Sequence, residues 1–318
     1  MMPEIFEMTF DIIIPAYKPG DDLKRLLRDI AKQDMKPARV IIINTEKKYW
    51  DRSFEQIIPV EVHHIKKREF DHGGTRRMAA ELSDAPFFVC MTQDARPYDS
   101  HLFSELLKDF NDTNIGAAYA RQMTDDRAGE IERYTRHFNY PSEKRIKSEK
   151  DIETLGIKAW FLSDVCAAYR KSAYIEAGGF VKRTVFNEDM LMAAEFMKLG
   201  YSIAYEADAK VIHYHDYTAG EQFHRNFDLG ASHAEYSEVF GRVKSESEGI
   251  RMVKMTARHL IKCGKPALIG KLIIQSAAKY LGYRLGRKYR KLPESMVLRM
   301  CGNKTYFKKL FSEEKSIH

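Results

Sequence analysis

Cysteine is scarce, and the little there is lies scattered. The 318 residues hold four, Cys90, Cys166, Cys263 and Cys301, with no C-x-x-C pair. That argues against a disulfide framework and a zinc site, and it fits a reducing compartment. Long apolar runs are also missing: none approaches the roughly 20 residues that a membrane-spanning helix needs. The opening MMPEIFEMTFD is acidic and lacks the apolar core of a signal peptide. The Gly-x4-Gly-Lys pattern of a P-loop is absent.

Acidic residues run short in one region only. Residues 242–318 carry 19 Lys and Arg against 5 Asp and Glu, a balance of +14, while the remainder has 33 basic and 40 acidic residues, a balance of −7. A basic tail on an acidic body points to an anionic partner, a membrane surface or nucleic acid. No nucleic-acid reading motif accompanies the charge, so nucleic acid is set aside. The length suits one large domain with an appendage and allows a substantial core.

What is present is an alternation of buried strands and helices. Residues 10–16 (FDIIIPA) form an apolar run ending near a Tyr17-Lys18-Pro19-Gly20 loop. Leu23, Leu26, Leu27 and Ile30 then follow helical spacing, and 40–43 and 60–65 read as further strands. Strand, helix, strand at this pitch is a βαβ unit and implies a parallel sheet. Further strands are expected near 87–91 and 115–120, and β-like character near 160–169. Two short strands or a hairpin are expected near 203–205 and 210–214. Helices are expected at 100–110, 170–177, 186–200 and 218–240. The polar stretch 125–151, with interleaved aromatics, reads as a mobile loop or lid. Beyond 242, apolar pairs among Lys and Arg read as a basic amphipathic helix pair. Either an interfacial membrane segment or a solvated appendage fits that pattern.

Three places carry candidate chemistry. The uncharged run Phe87–Met91 leads into Thr92-Gln93-Asp94, so a buried strand delivers one carboxylate at its carboxyl end, where ligands bind in open α/β sheets. Asp94 is thus a candidate substrate or metal contact, or the cap of the following turn. Asp71-His72-Gly73-Gly74-Thr75-Arg76-Arg77 opens a helix. Its exposed N–H groups and two arginines suit an anion, or it is a plain glycine turn. Asn187-Glu188-Asp189 suits a helix start electrostatically. His213 and His215 alternate at a strand end, which points them to opposite faces, so at most one is expected at a given site.

The ordered set of motifs carries a resemblance. IIIPAY (Ile12 to Tyr17), a strand ending at Asn44, HGGTRR, Thr92-Gln93-Asp94-Ala95, YRKSAY…GGF, Asn187-Glu188-Asp189 and VIHYH (Val211 to His215) together resemble the family 2 glycosyltransferases with the GT-A fold. The match covers about residues 10–217, and it looks most like bacterial rhamnosyltransferases of cell-surface polysaccharide synthesis. The implied architecture is α/β: a Rossmann-like, mostly parallel central sheet flanked by helices. This gives a glycosyltransferase domain over 1–241 and a basic helical C-terminal region over 242–318.

The resemblance implies roles residue by residue. Pro15, Tyr17, Asn44, Gly73, Gly74, Arg76, Arg77, Gln93 and Asp94 would contact the nucleotide-sugar donor. Asp94, with His213 or His215, would hold Mg²⁺ or Mn²⁺. Asp189, beside Glu188, would be the catalytic base of an inverting transfer. Trp160 and Asp164 would face the acceptor. Asn44 and Gln93 depart from the acidic residues many relatives carry there. The implied reaction moves a sugar, L-rhamnose from dTDP-rhamnose, to a hydroxyl of a lipid-linked or polysaccharide acceptor. A UDP-dependent hexosyltransferase and a non-catalytic membrane-associated subunit of the same fold are the competing readings. The implied location is cytoplasmic, peripheral at the inner face of the cell membrane, and a homo-oligomer is compatible with it.

Overall fold

The apolar run FDIIIPAY forms β1 (Phe10–Tyr17) in the middle of the computed structural model, which describes residues 8–241 and 246–317. The acidic opening at 1–7 and the expected start of the basic region at Arg242 lie outside the described residues. The chain continues through α1 (Asp21–Ala31), β2 (Arg39–Thr45), β3 (Glu61–Ile65), α2 (His72–Leu82) and β4 (Phe87–Met91). β1 pairs in parallel with both β2 and β4, and β2 with β3. This is the βαβ half that the sequence pitch implies.

The second half is mixed. It comprises β5 (Arg96–Pro97), α3 (Leu102–Leu107), β6 (Ile115–Met123), α4 (Glu130–Asn139), β7 (Arg145–Lys147), α5 (Ile152–Leu155), β8 (Cys166–Arg170), α6 (Lys171–Glu176), α7 (Glu188–Lys198) and β9 (Ser202–Ile212). β8 runs antiparallel between β4 and β6, β9 lies parallel to β6, and β5 and β7 pair antiparallel with β9. The order is β3-β2-β1-β4-β8-β6-β9-β5. Strand alternation divides the core into two layers. Ile13, Ile41, Ile43, Phe88 and Cys90 pack with Ala79, Tyr174 and Phe196 on one face. Ile12, Ile14, Ile42, Val89 and Met91 pack with Leu26, Leu27 and Phe103 on the other.

Two expectations need correction here. Residues 125–151 are not one loop: they hold α4, β7 and the following turns. The helix carries Glu130 and Glu132 in its first turn and Arg136 and His137 in its last, which suits the helix dipole, and Arg136 pairs with Glu132 at 2.6 Å. The two strands expected within 203–214 are one, β9, which ends at Ile212 and whose pairing with β6 jumps from Ala120↔Glu206 to Arg121↔Lys210. The bulge buries Glu206 against Lys108 and Lys144, at 3.5 and 3.4 Å, so a charged insertion that reads as a break is absorbed inside a strand.

The remaining helices are α8 (Ala219–Glu235), α9 (Ser237–Phe240), α10 (Glu246–Lys262), α11 (Leu268–Gly286), α12 (Glu294–Met300) and α13 (Lys304–Ile317). α11 lies directly on α8. A Cβ on Gly282 would stand 2.3 Å from the Phe223 carbonyl oxygen, and one on Gly286 would stand 2.0 Å from that of Phe227. Only glycine lets the two backbones approach this closely. Gly286→Ala is therefore expected to cost about 1–3 kcal/mol of stability by overpacking. The urea midpoint should fall at unchanged slope, and a wild-type midpoint would disprove the packing. Phe227 and Ala231 of α8 form a third core with Val185, Tyr289, Val297, Tyr306, Phe307 and Leu310.

Candidate active site

β4 ends at Met91, and a turn closed by Ala95 N–H on the Thr92 carbonyl, 3.1 Å, presents Asp94 above the sheet. Gln93 is pinned to β1 from both ends of its amide. Tyr17 N–H donates to Gln93 Oε1 at 3.0 Å, and Gln93 Nε2 donates to the Tyr17 carbonyl at 3.1 Å. Gln93 thus acts as a backbone clamp that fixes the turn. β9 stops at Ile212, one residue before His213, so the strand's alternation lapses and both imidazoles turn the same way. His215 Nε2 lies 3.3 Å and His213 Nε2 3.7 Å from Asp94 Oδ2, with 3.1 Å between the two nitrogens.

This arrangement suits a divalent cation. The three ligand atoms lie within 4.8 Å of one another. His213 Nδ1 stands 3.1 Å from Gln122 Oε1, which assigns the proton to Nδ1 and leaves Nε2 free to ligate. Gln122 is itself fixed, since its Nε2 donates to Ser163 Oγ at 2.9 Å and to the Tyr140 hydroxyl at 2.5 Å. Burial pulls His213 down to about 3 and lowers His215, with Asp94 opposing in both cases, so both rings are neutral at pH 7 as metal ligands must be.

A second cluster sits on the other side. Asp71 caps α2 by accepting from Gly74 N–H at 2.8 Å, and the helix carries Arg76 inward. Arg76 Nη1 is 2.8 Å from Glu188 Oε1, and its Nε is 3.1 Å from Asp164 Oδ2. The second contact is at ion-pair distance but off the hydrogen-bond direction, so Nε and Oδ2 have no hydrogen-bond partner. Asn187 turns the chain into α7 with φ +67, a left-handed conformation that Asn tolerates. Asp189 follows, its Oδ2 accepting from Asp164 N–H at 3.2 Å and its Oδ1 from Met190 N–H at 2.7 Å. Burial, then the Glu188 and Asp164 carboxylates, push Asp189 well above the ordinary carboxylate range. Burial raises Asp164 to about 6 against the pull of Arg76.

Both clusters line one open cavity of about 460 Å³. Asp94, His213 and His215 are on one wall, and Asp189, Glu188 and Asp164 are on another. Cations also line it. Arg225 of α8 rests over the Phe186 and Tyr217 rings, and Lys279 of α11 enters from the C-terminal region. Burial lowers the Lys279 pKa, with Glu132 opposing. Neither cation has an ion-pair partner among the described residues. The cavity therefore combines a triad whose geometry suits a cation, a buried carboxylate fit to accept a proton, and positive charge suited to an anion.

The chain matches the Glycosyl transferase family 2 model over residues 11–178. It is 36% identical over 322 residues to the O-antigen chain rhamnosyltransferase RfbN of Salmonella typhimurium, covering 98% of this chain and all of the relative. It is also 36% identical to WbaN of Salmonella anatum, an O-antigen chain rhamnosyltransferase, over 97% of this chain and 99% of that one. The chain belongs to glycosyltransferase family 2. Among solved structures, the mannosyltransferase PcManGT of Pyrobaculum calidifontis, in complex with GDP-Man and Mn²⁺, aligns with TM-score 0.54 at 13% identity. That alignment covers 94% of this chain and 84% of the other. It supports the GT-A fold.

In this family 2 glycosyltransferase the expected site residues separate into groups. Asp94, His213, His215, Asp164, Glu188, Asp189 and Arg76 come together on the cavity. Both histidines do so, where alternation allows one. Pro15, Tyr17 and Asn44 stand at the neighbouring ends of β1 and β2, off the cavity wall. Asn44 is fully buried, with Nδ2 3.0 Å from His64 Nδ1 and Oδ1 left without a partner. Gly73, Gly74 and Arg77 are not brought to the cavity. A Cβ on Gly73 would meet the Val181 carbonyl at 2.3 Å, so the glycines admit a neighbouring backbone, and Asp71 already occupies the helix start. Arg77 donates to the Gly178 and Phe180 carbonyls at 2.7 and 2.9 Å. Trp160 is buried in the core and is absent from the cavity wall.

Gln122, Arg136, Arg225 and Lys279 are cavity residues that sequence reasoning missed. For Lys279 a signal existed, since helical spacing sets it with Gln275, Gly282 and Gly286 on one face of α11.

Proposed function

We propose that this glycosyltransferase moves L-rhamnose from dTDP-rhamnose to a hydroxyl of a lipid-linked or polysaccharide acceptor in O-antigen-type synthesis, with inversion and with a divalent ion. The observation that carries the mechanism is the single cavity shared by Asp189 and the Asp94–His213–His215 triad. The sugar is inferred from the two rhamnosyltransferase relatives.

Asp94, His213 and His215 would hold the ion. When bound, it supplies Lewis-acid neutralisation of the leaving diphosphate. Two imidazole donors favour Mn²⁺ over Mg²⁺, which prefers an all-oxygen shell. The nucleoside would lie over the ends of β1 and β2, against the exposed ring of Tyr17. Asp189 takes the acceptor hydroxyl proton. The acceptor oxygen bonds to the anomeric carbon as the bond from that carbon to the diphosphate oxygen breaks, and the electron pair leaves with the diphosphate. One displacement inverts the anomeric centre. Arg225 and Lys279 add fixed positive charge where the anion develops. No helix among the described residues is long and apolar enough to cross a membrane. A lipid-linked acceptor would present its hydroxyl at a bilayer surface.

Thermal shift with thymidine, uridine and guanosine diphosphates, with and without Mn²⁺ or Mg²⁺, tests this reading. A ligand at 100 times its dissociation constant stabilises by about 2.7 kcal/mol. Thymidine diphosphate should give the largest shift, strengthened by metal, and Asp94→Ala should lose the metal-dependent part. A uridine preference would overturn the sugar and keep the chemistry. No response to any nucleotide would overturn the enzyme reading.

A further inference from the structure

α11 has two faces with different fates. Leu272, Gly282 and Gly286 are buried, and Lys279 reaches the cavity. The opposite face carries Ile273, Ile274, Ala277, Tyr280 and Leu281. These are bare: Ile273 is 58% exposed, Ile274 62%, and Tyr280 and Leu281 each 53%. At about 100° per residue, these positions with Gly270 and Arg284 fall in one arc of about 120°, and Lys288 follows just beyond the helix. A contiguous apolar stripe left in water marks an interaction surface.

Charge decides the occupant. Residues 251–290 contain 11 Lys and Arg and no Asp or Glu. Arg284 and Lys288 are exposed at the carboxyl end of the stripe. A second copy seated here would set like charges against like charges, which opposes the contact. A surface of anionic lipid headgroups complements them, and Tyr280 is the amphipathic ring favoured at a lipid–water boundary.

We infer that the outer face of α11, Ile273, Ile274, Ala277, Tyr280 and Leu281, docks the protein on an anionic phospholipid bilayer, lying in the interface. The inference rests on the proposed lipid-linked acceptor, which would be met at a bilayer surface. Because the same helix sends Lys279 into the cavity, docking holds the site within one helix diameter of the headgroups. The face thereby sets where an acceptor anchored in the bilayer meets the site.

The test is flotation of the full chain with vesicles of phosphatidylcholine alone, and with a third of the lipid replaced by phosphatidylglycerol. Wild type should float with the anionic vesicles and be released at high salt. Ile273→Asp with Leu281→Asp should lower partitioning about tenfold or more, since both apolar contacts are lost. Its thermal-shift response to thymidine diphosphate and Mn²⁺ should match wild type, as neither residue lines the cavity. A second variant, Arg284→Glu with Lys288→Glu, should remove the preference for anionic over neutral lipid. Wild type that stays unbound, or an aspartate variant that floats like wild type, overturns the inference. So does a dimer seen by light scattering that the aspartate variant dissolves, because a second copy then covers the face. Failure of the nucleotide response alone overturns the glycosyltransfer reading and leaves the flotation result standing.

Discussion

Asp189→Asn should yield a folded, nucleotide-binding protein whose transfer rate is lower by about 10²–10⁴. Asn Oδ1 can still accept from the N–H groups of Asp164 and Met190, so the start of α7 is preserved. What disappears is the proton acceptor. The same substitution should raise stability at pH 7. Asp189 has a folded pKa above its unfolded value, so the native state binds the extra proton and loses stability as pH rises through that interval. Asn removes this burden, and its advantage should shrink as pH falls toward the ordinary carboxylate range. In the wild type, the acid limb of kcat/KM should lie above that range for the same reason. Steady-state kinetics and denaturant melts across pH read both effects. A variant with near-normal transfer, or one that fails to bind nucleotide, would sink the assignment of Asp189 as base.

Arg76→Met tests the other half of the site. Arg76 is the buried cation between Glu188 and Asp164, with Asp189 alongside. Burial works against its charge, but Glu188 and Asp164 outweigh burial and raise its pKa. A methionine of similar length would fill the space and leave buried carboxylates uncompensated. Removing one partner of such a cluster costs about 3–5 kcal/mol. The loss should be largest near neutral pH. As pH falls toward about 6, where Asp164 of the wild type itself protonates, the folded variant's carboxyls, freed of the pull of Arg76, take up protons before the wild type's do, and the gap to wild type should narrow. Equal destabilisation at every pH would show that Arg76 acts through packing alone.

Much of this arrangement is legible in the chain. Asp94 is exposed by a run of five uncharged residues ending at a carboxylate, because a central strand buried on both faces reads as an unbroken apolar run. The Asn187-Glu188-Asp189 start of α7 is legible for its charge at a helix N-terminus. The histidines misled because period two holds only while a strand lasts, and β9 ends at Ile212. HGGTRR misled in a different way. Glycine before a helix serves an approaching anion or an approaching backbone equally well, and here the neighbour is the 181–182 backbone. Of two adjacent arginines, one turns inward to an acid cluster and the other outward to carbonyls, a choice set by the helix's rotation. Arg225 was hidden because one cation on a helix looks like solvated charge until the packing is known, and for Lys279 the only signal was its spacing with Gly282 and Gly286.

The third core also limits what can be learned by cutting the chain. Phe227 and Ala231 are covered by Tyr289, Val297 and Phe307, and Met252 and Lys279 line the cavity from residues beyond 241. A fragment ending at 241 would lose cavity wall and expose a greasy seam at once. Its inactivity or its stickiness in a lipid assay would be an artefact of the cut, and neither would report on the tail. Questions about what the C-terminal helices contribute are therefore better put to full-length point variants, and chimaeras between relatives should carry α8 and α11 together as one inherited unit.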